Sequence, residues 1–259
     1  MLKARRQRLR QLTVILALLL FPVTLYYFSP ALPFQGASEG VLNGSLIVFA
    51  GMFLGALVLG RSYCAWACPG AGLMEPLIAV NARPVSARLR WLQWTIWVIW
   101  AGGLAAMVWA SGGYQSVDFF YQVEGGVSLT SATPYIVYYV VVGLMLGLSL
   151  FVGRRGFCHS VCWMAPFMIL GRRGSNTLNL PALRLQAEPA RCVGCHKCAE
   201  NCPMSLNVTA MVKAGRMEAD ACILCGTCVD NCTKHAIHYR FSRPADLIPV
   251  TAVQTTTPR

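Results

Sequence analysis

Charged side chains are scarce in this chain. Lys, Arg, Asp and Glu make up 12% of its 259 residues while 56% are hydrophobic, and the mean hydropathy is +0.51. An ordinary soluble domain carries about twice that charge, so the composition excludes one and points to a membrane. Four apolar runs, residues 12–28, 41–59, 91–110 and 135–152, contain no Asp, Glu, Lys, Arg or His. Each is close to the ~20 residues a helix needs to cross a bilayer. A proton pump or ion channel usually keeps an ionisable group at membrane depth, and the runs offer none. All four histidines, His159, His196, His235 and His238, lie outside them, which leaves no ligand for a b-type haem within a span. No proton-abstracting or nucleophilic constellation of the usual kind is present either.

Basic residues are missing from two loops. Residues 29–40 and 111–134 carry no Lys or Arg, only Glu39, Asp118 and Glu124. All 22 basic residues fall in the other segments: Lys3, Arg5, Arg6, Arg8 and Arg10 before the first run, Arg61, Arg83, Arg88 and Arg90 between the second and third, and thirteen after the fourth. The positive-inside rule then predicts a multi-pass protein of the cytoplasmic (inner) membrane, with both termini and every cysteine cytoplasmic. The N-terminus also reads as a signal peptide, but the FSPALPFQGA sequel lacks a convincing small-x-small cleavage site. Most of the formal charge of +12 is topogenic and is no nucleic-acid footprint.

Cysteine is where the chain is rich. Eight of its twelve cysteines form two runs, CVGCHKCAENCP and CILCGTCVDNCT, each spaced CxxCxxCxxxC. Three cysteines at two-residue gaps can wrap three corners of an iron–sulfur cubane, the fourth ligand coming from elsewhere. Zinc ribbons use two pairs without a third cysteine at the same interval, so zinc or a disulfide framework fits poorly. A reducing cytoplasm suits thiolates held on metal.

The other four are Cys64, Cys68, Cys158 and Cys162. They lie in GRSYCAWACPG after the second apolar run and GRRGFCHSVCWMAP after the fourth, so the membrane part reads as two helix hairpins, each finished by CxxxC. On a helix this spacing puts both thiols of a pair on one face. Gly51xxxGly55 and Gly143xxxGly147 precede the pairs and are expected to draw the second and fourth helices together, joining the pairs at the cytoplasmic surface. Three readings stay open for these thiols: a metal or cluster site, a redox-active dithiol or disulfide, and small buried packing residues. Arg61, Arg154, Trp66, Trp163 and Glu75 surround the motifs. At span ends such residues usually act as topology anchors or belt residues, with a quinone head-group contact as the functional alternative. The apolar stretch 163–170, closed by Arg172 and Arg173, is too short to span and is expected to lie along the interface.

The two cysteine runs resemble a two-cluster bacterial ferredoxin, in which the fourth cysteine of each run crosses over. That resemblance assigns Cys192, Cys195, Cys198 and Cys232 to one [4Fe-4S] cluster and Cys222, Cys225, Cys228 and Cys202 to the other, with Pro203 in its usual place and Thr233 where proline is common. Four spans, two CxxxC motifs and this module together resemble the NapH-type proteins of periplasmic nitrate reductase systems and the MauN-type proteins of methylamine utilisation. The HSVCWMAP motif departs from their CxxxCP form.

The fold expected is an α-helical membrane protein of four transmembrane helices in two repeated hairpins, with a C-terminal α+β two-[4Fe-4S] ferredoxin-like domain. The divisions are 1–172, 173–243 and a tail, 244–259, with strands near 183–186 and 237–240. The resemblance implies electron relay between the quinone pool or a cytoplasmic donor and a partner redox enzyme, in contact with membrane lipid and without nucleic acid. The alternative is an accessory factor that reduces or delivers a metal during maturation of a partner enzyme.

Overall fold

The computed structural model describes residues 2–130 and 132–247, so most of the expected tail lies outside the described residues. The chain begins with α1 (Leu2–Leu19), followed by α2 (Phe21–Thr24) and a 3-10 turn at Leu25–Phe28; this pair is bent by 58°. Pro22 stands at the break, where its ring and missing N–H interrupt a helix. After α3 (Leu32–Ser38) and the short β1 (Val41–Asn43) comes α4 (Gly44–Leu59). The Asn43 side chain caps α4 by accepting the Leu46 N–H at 3.1 Å, and Gly60 ends it with φ +56°.

The first CxxxC motif lies on α5 (Tyr63–Trp66) and the entry to α6 (Pro69–Met74). Helix α7 (Arg90–Ala110), strand β2 (Ser116–Asp118) and helix α8 (Ala132–Phe151) make the second hairpin. The second motif begins on α9 (Gly156–Ser160) and leads into α10 (Ala165–Thr177). The remainder is β3 (Ala182–Ala187), α11 (Lys197–Glu200), α12 (Val208–Lys213), α13 (Thr227–Asn231) and β4 (Ile237–Ser242). β3 and β4 pair antiparallel, Ala182 opposite Ser242, on the two stretches read as strands in the sequence.

Two helices, the Ala87–Ala110 segment and α8, are long and apolar enough to cross a membrane, or three if the bent N-terminal pair is one span. The sixteen-residue α4 is apolar but about 24 Å long at ~1.5 Å per residue, short of a ~30 Å hydrocarbon core. The molecule is therefore mostly helical and consistent with a membrane protein, with fewer full-length helices than the four expected.

The loops without Lys or Arg meet at one end. β1 pairs in parallel with β2, Gly40 accepts from Gln115, and Ser128, fully buried, bonds Val23 and Tyr26 at the bend of the first helix. The β3–β4 module sits at the other end, against the N-terminal turns of α1 and the cysteine motifs.

The glycine pattern does not join the hairpins. A Cβ at Gly51, Gly55, Gly143 or Gly147 would meet nothing within 4 Å, so these glycines face away from other helices. Close approach occurs elsewhere: a Cβ on Gly72 would lie 2.3 Å from the Val14 carbonyl, and one on Gly171 2.3 Å from the Phe53 carbonyl. α6 thus runs along α1, and α10 along α4. The stretch 163–170 accordingly does not lie flat on an interface. Phe167 stacks on Phe49 at 5.1 Å and meets Trp97 and Trp100 edge-on in mid-helix.

Candidate iron–sulfur sites

Each CxxxC motif enters the helical half on a short helix, breaks, and returns on a second helix. The two breaks are built alike. Cys64 and Cys158 donate their N–H groups to Arg61 and Arg155 (3.0 and 2.9 Å), and Cys68 and Cys162 to Tyr63 and Phe157 (3.0 and 3.1 Å). The helix stops before the second cysteine, so the pair does not share one helix face. Pro69 disfavours a helical Cys68, which is extended (φ −77°, ψ 123°). At the breaks the chain lies inside the bundle. Gly70 packs on Met145 of α8, and the Trp163 indole donates to the Phe28 carbonyl at 2.8 Å. Cys64, Cys68 and Cys162 are accordingly buried among the helices, and Cys158 is half-buried.

Fixed polar contacts tie the motifs together. The Gln93 amide donates to the carbonyls of Cys158 (3.2 Å) and Cys162 (2.9 Å), and Arg155 donates to that of Cys64 (3.0 Å). Cys64 Sγ lies 3.8 Å from Met168 Sδ and 4.0 Å from the Arg61 guanidinium. Several buried polar atoms here have no hydrogen-bond partner: Tyr63 Oη, Arg61 Nε, Arg155 Nε and both ring nitrogens of His159. Such atoms are uncommon in a folded interior, and a bound group or water is one way to satisfy them.

The eight remaining cysteines line two cavities. Cys192, Cys195, Cys198 and Cys232 face one, Cys202, Cys222, Cys225 and Cys228 the other. Left-handed backbone recurs at matching positions of the two runs, Gly194 and His196 in the first, Leu224 and Gly226 in the second, turning each loop around its cavity. Hydrogen-bonding groups reach the sulfurs: Ala236 N–H to Cys232 (3.3 Å), Thr209 at Cys198 (3.5 Å) and Thr227 at Cys225 (3.4 Å). Burial pushes Cys222 up to about 12 and raises Cys202 and Cys228 as well, so these thiols lose their protons only to a cation that takes the charge. Among the described residues no three His, Cys, Asp or Glu converge as around a single ion, at these cavities or at the CxxxC site. The two cavities of the ferredoxin-type runs, each lined by four cysteines, fit clusters, whose ligands stand further apart.

The module is docked on the motifs. Trp66 Nε1 and Tyr239 Oη both donate to the Leu224 carbonyl (3.4 and 2.6 Å), Arg61 donates to that of Asp220 (2.7 Å), and Gln7 to that of Cys225 (3.1 Å). Arg6 pairs with Asp230, and Glu218 is held by Arg172 and Arg184. Arg154 reaches the carbonyls of Glu200 and Cys202. The residues weighed as quinone contacts thus make internal bonds: Trp66, Arg61 and Arg154 to the module, Trp163 to Phe28, and Glu75 to Arg10 and Arg155.

Sequence reading missed Arg155, Gln93, Arg10 and Met168. For Arg155 a signal existed: counted back from the first cysteine of each pair, Arg155 and not Arg154 matches Arg61, three residues before Cys158 and Cys64. Nothing marked Gln93, a polar residue within an apolar run.

Comparison with known proteins agrees with this geometry. The family described as "4Fe-4S dicluster domain" matches residues 191–237, and that described as "4Fe-4S binding domain" matches 44–83 and 135–181, one stretch per CxxxC motif. The chain therefore carries ferredoxin-type 4Fe-4S domains and is an iron–sulfur protein. It is 25% identical over 184 residues to "Uncharacterized protein MJ0749" of Methanocaldococcus jannaschii, covering 71% of this chain and 66% of that one. It is 23% identical to "Putative electron transport protein YccM" of Escherichia coli over 81% of this chain, spanning 59% of that relative. A second Methanocaldococcus jannaschii protein, "Uncharacterized protein MJ0750", is 24% identical, with 79% and 81% covered. No solved structure matches.

Proposed function

We propose that this is a membrane-anchored electron-transfer protein of NapH or MauN type, relaying electrons between quinone or a cytoplasmic donor and a partner redox enzyme. In this reading four segments cross the cytoplasmic membrane, β1 extends α4 across it, and the basic end with the ferredoxin-type module is cytoplasmic. Cys192, Cys195, Cys198 and Cys232 hold one [4Fe-4S] cluster, and Cys202, Cys222, Cys225 and Cys228 a second. Cys64, Cys68, Cys158 and Cys162 hold a further metal–sulfur centre within the bundle. Clusters, when bound, supply one-electron exchange without moving protons.

The observation that carries the reading is the succession of three cysteine quartets. Arg155 donates to the Cys64 carbonyl and is linked through Glu75, Arg10 and Gln7 to the Cys225 carbonyl, which supports a bundle site adjoining the nearer cavity of the module. The farther cavity comes to the surface at Cys195 and at Val193, which is 65% exposed and offers a soluble partner an approach. On the membrane side, an apolar groove of ≈ 670 Å³ runs along α7 from Trp109 to Phe167, the residue before Met168. A quinone entering from lipid would follow such a groove. The printed name of YccM supports electron transport as the role.

The test is anaerobic purification of the full chain, followed by reduction with a quinol analogue watched through cluster absorbance. Rapid, stoichiometric bleaching is expected. Absence of iron and labile sulfide sinks the reading. A requirement only in sub-stoichiometric amounts, during assembly of a partner, would favour the accessory factor instead.

A further inference from the structure

The charge buried beside the four bundle cysteines is cationic. Arg155, Arg61 and Arg10 are 0%, 4% and 5% exposed, and Glu75 is the one carboxylate among them, bonded to Arg10 at 2.5 Å and to Arg155. Arg61 has no carboxylate partner among the described residues; it donates to the Asp220 carbonyl and faces Cys64 Sγ. The acidic groups of the adjoining interface are already engaged, Asp230 by Arg6, Asp220 by Arg173 and Glu218 by Arg172 and Arg184. Three buried cations against one carboxylate leave +2.

Buried charge without a counter-charge is strongly unfavourable, the more so among apolar helices. Four neutral thiols, or two disulfides, would leave the +2 standing. Four thiolates around a [4Fe-4S] core carry about −2 and cancel it. The packing and dithiol readings leave this charge to the nearer centre of the module alone. Arg155 is also held at φ +50°, a left-handed conformation that a non-glycine residue keeps only where its surroundings impose it.

We infer that Arg61 and Arg155 are the fixed counter-charges of a dianionic metal–thiolate centre on Cys64, Cys68, Cys158 and Cys162, and that Arg155, tied through Glu75, Arg10 and Gln7 to the Cys225 carbonyl, is shared with the centre on Cys202, Cys222, Cys225 and Cys228. The inference rests on the reading of the bundle cysteines as ligands. Both arginines are positioning residues: a cation beside a centre favours the form that has gained an electron, so each raises the potential of the centre it faces.

Metal analysis of the wild-type chain against a variant with all four bundle cysteines changed to Ala tests the underlying reading. About twelve irons falling to about eight upholds it for a cubane, and equal metal in both sinks it and with it the arginines' role at the bundle. The arginines are tested by redox titration followed by electron paramagnetic resonance. Arg155→Gln is expected to lower the potentials of the bundle centre and the Cys222-run centre and leave the Cys192-run centre unchanged. Arg61→Gln should lower that of the bundle centre alone, and Arg155→Lys should stay close to wild type. If Arg155→Gln loses the bundle centre altogether while Arg155→Lys keeps it, charge is again the cause. Full loading with unmoved potentials in both Gln variants overturns the inference, as does loss of the centre in Arg155→Lys as complete as in Arg155→Gln.

Discussion

Cys202 shows how much one side chain decides. It belongs to the first cysteine run by sequence, but it lines the cavity of Cys222, Cys225 and Cys228, some twenty residues further on. Chain proximity would place it with the first run, whereas the cavity it lines places it with the second. Cys202→Ala is expected to remove about four irons and to abolish the resonance that Cys222→Ala also abolishes, leaving the Cys192 signal intact. Loss of the Cys192 signal instead would reject the crossed assignment. Arg155 teaches the complementary lesson. Its role was available in the repeat once the spacing was counted from cysteine, but a run of two arginines at a helix end reads more readily as a topology anchor.

Helices that follow proline-bounded breaks carry the cysteines inward, and glycine permits this at positions no periodic motif announces. Gly72 and Gly171 allow α6 and α10 to lie against α1 and α4, whereas the spaced pairs Gly51/Gly55 and Gly143/Gly147 face open space. Gly171→Ala must displace backbone on one of two packed helices, a change of the overpacking kind that costs roughly 1–3 kcal/mol. Gly51→Ala and Gly147→Ala should be neutral or slightly stabilising, since Ala is the better helix former by up to about 1 kcal/mol. Thermal unfolding of the three detergent-solubilised variants tests this. A drop for Gly51→Ala comparable to that for Gly171→Ala would restore the motif as a packing device.

Docking of the module on the bundle sets the order of the sites. Glu218 bridges Arg172 on α10 and Arg184 on β3, with Asn176 as a further donor. Burial alone would raise its pKa, but the two guanidiniums outweigh it and hold the carboxyl below its ordinary range. A depressed acid contributes its stability above the unfolded pKa and loses it as pH falls through the folded one. The junction should therefore loosen as the solution is acidified below the usual carboxylate range. Limited proteolysis near 178–181 is expected to quicken there in the wild type, and Glu218→Gln should flatten that dependence. Sidedness is a property of the same scale. Reporter fusions at Gly36 and Gly125 are expected to read as external, and at Pro84 and the C-terminus as cytoplasmic. A C-terminus that reads as external would move all the proposed redox chemistry to the other side.

Sequence alone determined what is local or compositional. The apolar runs, the segregation of Lys and Arg, the paired strands and the cluster loops follow from side-chain transfer energies, charge bias and short-range spacing, none of which needs a partner distant in the chain. Tertiary structure decided the rest. Only packing shows that α4 is cut short by Asn43 and Gly60, that both CxxxC motifs turn back inside the bundle, and that Gln93, Arg10 and Glu75 join them. These outcomes depend on which buried polar group finds its counter-charge or hydrogen-bond partner, and these partners lie 69 and 80 residues apart along the chain. The periodicity of one segment records which way a helix faces, but not what it meets there.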